Sequence, residues 1–285
     1  MEIRELLAFG EDVLEKAGIE DFKIDAEALL TYEIGFDKTK IFMNWTYDVN
    51  FTHSENYFDL VNLRATGMPL QYITGEQFFM GHKFIVNENV LIPRQETEVL
   101  VEKTIEMFLL NKNIKTVLDM CTGSGVIAIS LANRFSNIKF TAVDVSGKAL
   151  SVAKQNASAL CRSKNISFEH SDLFSAIKSG SFGKKFDLII SNPPYIKTYE
   201  IPYLQREILE HEPLIALDGG EDGLYYYRKI ITDAIPYFKK GGCLLLEIGA
   251  DQANDVSNLL IQAGYKTPEI IKDLSGKDRI VKAFR

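Results

Sequence analysis

Five short apolar runs, at residues 116–120, 139–144, 166–170, 186–191 and 242–248, alternate with stretches of helical composition. Continuous apolar strands separated by helical crossovers build a parallel sheet with helices on both faces. A helix is expected from residue 96 to about residue 110. The tail holds two more extended segments, 266–273 and 279–284, close enough in sequence to pair as a hairpin with an antiparallel last strand. Residues 1–66 carry no strand signal and read as short helices, the last opened by a capping box at Thr52-His53-Ser54-Glu55. Residues 77–92 alternate like extended structure, with turn residues at Gly81 and Asn87-Glu88-Asn89. The expected organisation is an α/β chain with an N-terminal helical domain at 1–75, a β-hairpin linker at 76–92 and the sheet domain at 93–285.

The run at 186–191 ends in Asn192-Pro193-Pro194-Tyr195. Each proline locks its own φ and drives the preceding residue into an extended conformation. Neither carries an N–H, so the turn offers carbonyl acceptors without competing donors. The Asn192 oxygen and the flat ring of Tyr195 complete a receptor for a planar NH2 group, two acceptors for its hydrogens and a face to stack on it.

Upstream, the run at 116–120 leads into Cys121-Thr122-Gly123-Ser124-Gly125 and then a helical segment. Strand, glycine-rich turn and helix put free backbone N–H groups at a helix start, and glycine lets the backbone approach a ligand. The run at 139–144 ends in Asp144, with Ser146 the expected N-cap of the next helix. An acid at the tip of a second strand suits a ribose diol. The turn alone also fits a dehydrogenase, but it is not G-x-G-x-x-G, and Asp144 together with the N-P-P-Y turn favours S-adenosylmethionine.

Composition narrows the partners. Residues 1–75 hold 14 acidic and 6 basic side chains, a net of −8, against −7 for the whole chain, so the remainder is near +1. An acidic N-terminal domain complements a basic protein better than nucleic-acid phosphates. No segment approaches the ~20 apolar residues of a membrane span, and an N-terminus rich in Glu and Asp argues against a targeting segment. Cys121, Cys161 and Cys243 show no C-x-x-C spacing. They read as reduced thiols of a cytoplasmic protein without a metal site.

The chain resembles the glutamine N5-methyltransferases that modify peptide chain release factors. The resemblance rests on Pro69 to Glu76, Phe79-Met80-Gly81, Val90 to Glu98, Asp119 to Gly125, Asp144, Asn192 to Tyr195, Ala216 to Gly223, Leu245 to Gly249 and Asp273 to Arg279. N-P-P-Y is shared with adenine-N6 DNA and some rRNA methyltransferases, whereas I-P-R-x-E-T-E and L-D-G-G-E-D-G are more restrictive. Two departures stand out: the family usually has Gly at Cys121 and Pro at Gln95.

The resemblance implies a class I S-adenosylmethionine-dependent methyltransferase fold, Rossmann-like, with a small N-terminal helical domain. It implies methyl transfer to the glutamine of the Gly-Gly-Gln motif in class 1 release factors, leaving S-adenosyl-L-homocysteine. The expected catalytic residues are Asn192, Pro193 and Tyr195, with Pro194 also binding substrate. Asp119, Cys121, Thr122, Gly123, Ser124 and Gly125 are expected to cradle the methionine end of the cofactor, Asp144 its ribose, and Asp172-Leu173 its adenine, with Asn192 beside it. The resemblance alone places the Asp172-Leu173 pair. Arg94, Glu96 and Glu98 fit a helix N-terminus, and Asp218, Glu221, Asp222, Asp278 and Arg279 read as structural. The rival is a nucleic-acid methyltransferase acting on adenine N6 or guanine N2, which would need a basic groove. No direct nucleic-acid or membrane binding is expected.

Overall fold

The computed structural model describes residues 1–161, 165–177 and 185–285. Its first elements are α1 (Ile3–Lys16), α2 (Phe22–Ile34), α3 (Lys38–Met43), α4 (Phe51–Ala65) and α5 (Leu70–Thr74), then β1 (Glu76–Phe79), β2 (His82–Ile85) and α6 (Gln95–Leu110). There follow β3 (Thr116–Met120), α7 (Val126–Arg134), β4 (Lys139–Asp144), α8 (Gly147–Leu160), β5 (Ile166–His170) and β6 (Phe186–Ser191). The chain ends through α9 (Arg206–His211), α10 (Tyr225–Asp233), β7 (Phe238–Glu247), α11 (Ala253–Gln262), β8 (Glu269–Lys272) and β9 (Asp278–Phe284). Two compact units result, one of Met1–Glu76 with Gln205–His211, the other of Gln77–Leu204 with Glu212–Arg285.

The first unit is all helical and closes around Leu6, Leu29, Leu30, Ile41, Tyr57 and Val61. The buried Arg64 organises its polar interior. Its Nε donates to Asp25 at 2.7 Å, its Nη1 to the Met68 carbonyl at 3.1 Å, and its Nη2 pairs with Glu207 at 2.9 Å. The start of α4 differs from the capping box expected at Thr52. Asn50 is the cap, its side chain accepting from the His53 N–H at 3.0 Å, and Thr52 lies within the helix. Asparagine in extended backbone two residues earlier reaches the free amide first.

The second unit is built on a seven-stranded sheet in the order β5-β4-β3-β6-β7-β9-β8. β3 to β7 are parallel, while β9 is antiparallel to both β7 and β8. The terminal hairpin thus forms as the sequence predicts. Side-chain alternation divides the core. Val117, Phe140, Leu188, Ile190 and Leu245 pack beneath α6 and α7, and Leu118, Ile189, Leu244 and Leu246 beneath α10 and α11. β7 starts at Phe238 rather than at residue 242, because Phe238 pairs with Phe186 across an irregular register before Leu188 meets Cys243.

β1 and β2 turn through Met80 and Gly81, at φ 49° and 75°. Two successive positive φ values are the signature of a primed hairpin turn. Only 76–79 and 82–85 are strand. Residues 87–90 form a tight turn in which the Asn87 side chain accepts the Asn89 N–H at 3.0 Å. The hairpin is fastened at two points. Glu98 in the first turn of α6 accepts the Met80 N–H. The fully buried Asn156 on α8 accepts from Ile85 N at 2.6 Å and donates to the Ile85 and Ser124 carbonyls at 3.0 Å each. One amide thus joins β2 to the glycine-rich turn. Asn156→Ala, which leaves the Ile85 N–H and carbonyl and the buried Ser124 carbonyl without this partner, is expected to lower unfolding free energy by about 1–3 kcal/mol in chemical denaturation.

Candidate active site

The sheet order reverses at β3, whose following helix and neighbours depart to opposite sides. In open α/β sheets the crevice outside the carboxyl ends of the strands at such a point receives the ligand. Register fixes the ingredients there. Met120 at the end of β3 lies level with Val143 on β4 and Ser191 on β6. Thr122 N donates to the Val143 carbonyl at 3.0 Å, and Ser191 Oγ to the Met120 carbonyl at 2.7 Å. The loops after the three strands therefore begin at one height, and a cavity of about 270 Å³ opens among them.

Of the residues expected from sequence, Cys121, Thr122, Gly123, Ser124, Asp144, Asp172, Leu173, Asn192 and Pro194 line this cavity. Asp119, Gly125, Pro193 and Tyr195 are outside its lining. Asp119 is buried below the turn, where its Oδ2 accepts from Thr122 Oγ1 at 2.6 Å and from Ala128 N at 3.2 Å. Its Oδ1 is buried without a partner, and burial pushes the carboxyl up to about 7, against the hydrogen bonds from Thr122 and Ala128. Asp144 is better satisfied. Gly123 N and Ser146 N each reach it at 2.8 Å, which ties the glycine-rich turn to the tip of β4. Burial still raises its pKa. A carboxylate has about four lone-pair positions, so Asp144 retains capacity for a diol. Ser146 caps α8 as expected, accepting from Ala149 N at 3.1 Å.

Backbone conformation shows why glycine and proline suit the two positions at which this chain departs from the family pattern. Cys121 sits at φ 59°, a left-handed conformation that glycine adopts freely and other residues only at a cost. Gln95 is the first residue of α6, where proline is favoured because its missing N–H would be unpaired anyway. Cys121 is half-buried in the cavity wall, and desolvation there pushes its thiol pKa far up and keeps it neutral. Leu173 shares the left-handed conformation at φ 47°. A Cβ on Gly123 would meet nothing within 4 Å, leaving its backbone open for close approach.

The N-P-P-Y turn follows β6. Asn192 Nδ2 donates to Thr97 Oγ1 at 3.1 Å, which commits the nitrogen and leaves the oxygen as the atom available to the cavity. Pro193 and Pro194 are buried. The Tyr195 carbonyl accepts from Gln252 Nε2 at 3.0 Å, and burial raises its hydroxyl to about 12. The L-D-G-G-E-D-G segment packs on this turn. Gly219 N donates to the Ile196 carbonyl at 2.8 Å, and a Cβ on Gly219 would lie 2.6 Å from Tyr195 Cα. Asp218 is a turn residue, accepting from Thr198 Oγ1 at 2.7 Å and Gly220 N at 2.9 Å.

Sequence reasoning missed part of the lining: Asn89 to Leu91 on one side, and Ile215, Tyr225, Tyr226 and Lys229 on another. It also assigned Arg94 only to a helix start. Arg94 pairs with the buried Glu212, which also accepts the Ile92 N–H at 3.2 Å, so segments on opposite rims of the cavity are joined. Glu212 carried a signal, being a charged residue between His211 and Pro213 in an otherwise unpatterned stretch.

A family model described as the methyltransferase small domain matches residues 96–221, and one described as the PrmC N-terminal domain matches residues 5–75. A release factor glutamine methyltransferase of Clostridium acetobutylicum is 40% identical over 285 residues, covering 100% of this chain and 99% of that one. The chain belongs to the release factor glutamine methyltransferase family. A member from Bacillus cereus is 35% identical over 99% of each chain. The fold also recurs in the hMettl16 catalytic domain, solved with the MAT2A 3'UTR hairpin 6, at TM-score 0.56, 13% identity and coverage of 79% of this chain and 81% of that one. A Pyrococcus furiosus methyltransferase follows at TM-score 0.52 and 18% identity, covering 72% and 90%. The second unit is therefore a class I methyltransferase domain, and S-adenosylmethionine is its methyl donor.

The residues fit that donor. In the cavity wall the Gly123 backbone is open to close approach, and Asp144 at the neighbouring strand tip retains acceptor capacity. No helix among the described residues is long and apolar enough to cross a membrane, and these residues contain no cluster of metal-ligating side chains.

Two outcomes follow. Gly125 sits at φ 83°, and a Cβ there would lie 2.8 Å from Ile129 Cδ1 and 3.1 Å from Ala153 Cβ. Gly125→Ala should therefore cost about 1–3 kcal/mol of stability and weaken S-adenosylmethionine binding in calorimetry. The second concerns pH. The folded-state pKa of Asp119, about 7, lies above its unfolded value, so its protonated form favours the fold. That contribution is full below the unfolded pKa of about 4 and is lost as pH rises through 7. Denaturation midpoints of the cofactor-free protein should fall over that window, and less steeply in Asp119→Asn.

Proposed function

We propose that this protein methylates the side-chain amide nitrogen, N5, of the glutamine in the Gly-Gly-Gln motif of class 1 peptide chain release factors. The observation that carries the reading is Asn192. Its oxygen is the free acceptor in a cavity shared with the glycine-rich turn and Asp144. The full-length relatives are named for the same reaction.

Bound S-adenosylmethionine supplies an electrophilic methyl on a sulfonium centre. The amide nitrogen is a weak nucleophile because its lone pair is delocalised into the carbonyl, and no side chain deprotonates it outright at neutral pH. The protein therefore works by placement and by charge stabilisation. Asn192 Oδ1 and the Pro193 carbonyl accept the two amide hydrogens, which aligns the nitrogen with the methyl and favours positive charge developing on it. Pro194 walls the amide, and the Tyr195 ring holds its plane. Asp119 to Gly125 cradle the methionine end, Asp144 the ribose, and Asp172 and Leu173 the adenine.

The helical residues 1–75 serve as the substrate-recognition domain, residues 76–92 as a linker and 93–285 as the catalytic domain. The net charge of −8 in the first of these supports a basic protein partner over nucleic acid. The reading places the protein in the cytoplasm with its substrate, which its three cysteines, none of them in a disulfide, suit.

Labelled S-adenosylmethionine and a full-length class 1 release factor provide the test. Label should enter the wild-type factor and be absent when the Gly-Gly-Gln glutamine is replaced. Full labelling of that mutant factor would sink the assignment. Asn192→Ala should lose about 10²-fold or more in kcat while still binding the cofactor.

A further inference from the structure

Glu247 ends β7 with 1% of its surface exposed, and its Oε2 has no hydrogen-bond partner. A carboxyl in such a place is costly unless a neighbour requires it. A salt bridge is not the reason. Arg279, the cation that acts on it, is committed elsewhere, with Nε and Nη2 on Asp273 at 3.2 Å each and Nη1 on the Ile248 carbonyl at 3.3 Å. Strand register puts Glu247 beside the N-P-P-Y turn, since Ser191 pairs with Leu246 and Asn192 and Glu247 are the next residues, and the Thr97 and Asn192 side chains favour its charged form.

We propose that Glu247 is a positioning residue that, through Thr97, fixes which end of the Asn192 amide faces the substrate. The inference rests on Asn192 acting as acceptor for an NH2 group. Its logic is the direction of the hydrogen bonds. An asparagine amide can turn over, exchanging oxygen for nitrogen, and its partners decide the outcome. A carboxylate only accepts, so a Thr97 hydroxyl turned toward Glu247 spends its proton there and keeps lone pairs for Asn192. The 3.1 Å bond from Asn192 Nδ2 to Thr97 Oγ1 is that second link. In the proposed arrangement the chain runs one way, from Asn192 N–H to Thr97 and from Thr97 O–H to Glu247, and Oδ1 is left for the cavity. A group at 247 able to donate lets the Thr97 hydroxyl reverse and the amide turn. Asn192 would then meet the substrate NH2 with a donor.

Protonation of Glu247 has the same consequence, since the acid form carries its own O–H. Burial pushes this carboxyl up to about 7, with Thr97, Arg279 and Asn192 favouring the charged form and Glu96 opposing it. Tyr195 and Tyr227 also face it, Tyr227 Oη donating to its backbone carbonyl at 2.9 Å. Turnover needs the charged form, so kcat falls as pH drops through about 7.

Glu247→Gln and Thr97→Val keep volume and are compared with the wild type under cofactor saturation. Both should lower kcat by about 10²-fold with cofactor affinity within about twofold, and Glu247→Gln should lack the acidic limb near pH 7. The Asn192 side-chain NH2, observed by NMR in the cofactor-bound protein without release factor, should be protected from solvent exchange in the wild type and exposed in Glu247→Gln. Unchanged kcat and pH profile in Glu247→Gln, or unchanged Asn192 protection, overturns the proposal. A wild type that leaves the release factor unlabelled overturns the functional reading instead, and the NMR comparison still decides the role of Glu247.

Discussion

Strand β3 is the constraint on which the rest of the molecule depends. It lies at the centre of the sheet, hydrogen-bonded to β4 on one side and β6 on the other. Parallel pairing aligns the carboxyl ends of all three strands, and the reversal of strand order opens a crevice there. The glycine-rich turn, Asp144 and the N-P-P-Y turn share a cavity because they follow these strands. A shift in the register of β6 would carry Asn192 away from Thr97 and from the turn after β3. The apolar alternation that buries Val117 and Leu188 on one face and Leu118 and Ile189 on the other resists such a shift.

Around this frame the polar groups hold loops to one another. Asn156 joins the small hairpin to the glycine-rich turn, Asp144 joins that turn to the tip of β4, and Arg94 with Glu212 joins two rims of the cavity. Gln252 and the glycines around Asp218 hold the backbone after Tyr195. Such bonds cost little where both partners are satisfied. Among the described residues the buried carboxyl oxygens Asp119 Oδ1, below the glycine-rich turn, and Glu247 Oε2, at the end of β7, are two of the six buried side-chain atoms without a partner. Buried, incompletely paired carboxyls with pKa values near 7 mark places where chemistry rather than stability sets the residue.

Much of the fold was legible because its signals are local. The runs at 116–120, 139–144, 166–170 and 186–191 are strands at those residues, and Ser146 caps its helix. The early start of β7 was hidden, since Phe238 to Lys240 pair only through an irregular register with β6. The cap of α4 went to Asn50 because geometry chose between two capable neighbours. In the site, Cys121, Asp144 and Asn192 were readable from motif position. Tyr225, Tyr226 and Lys229 were not, since the segment that brings them to the cavity lies about thirty residues beyond N-P-P-Y with no pattern of its own.

The sequence by itself determined the strand and helix segments, the parallel sheet with its antiparallel end, and the loops that carry the chemistry. Those follow from periodicity, turn residues and glycine, which act over a few positions. Only the tertiary structure decided that Thr97 on α6 and Glu247 at the end of β7 meet Asn192 from opposite directions along the chain. That meeting depends on strand order and helix packing, which bring together residues 95 and 55 positions away from Asn192. The acceptor was written in the motif, and its orientation was set by the fold.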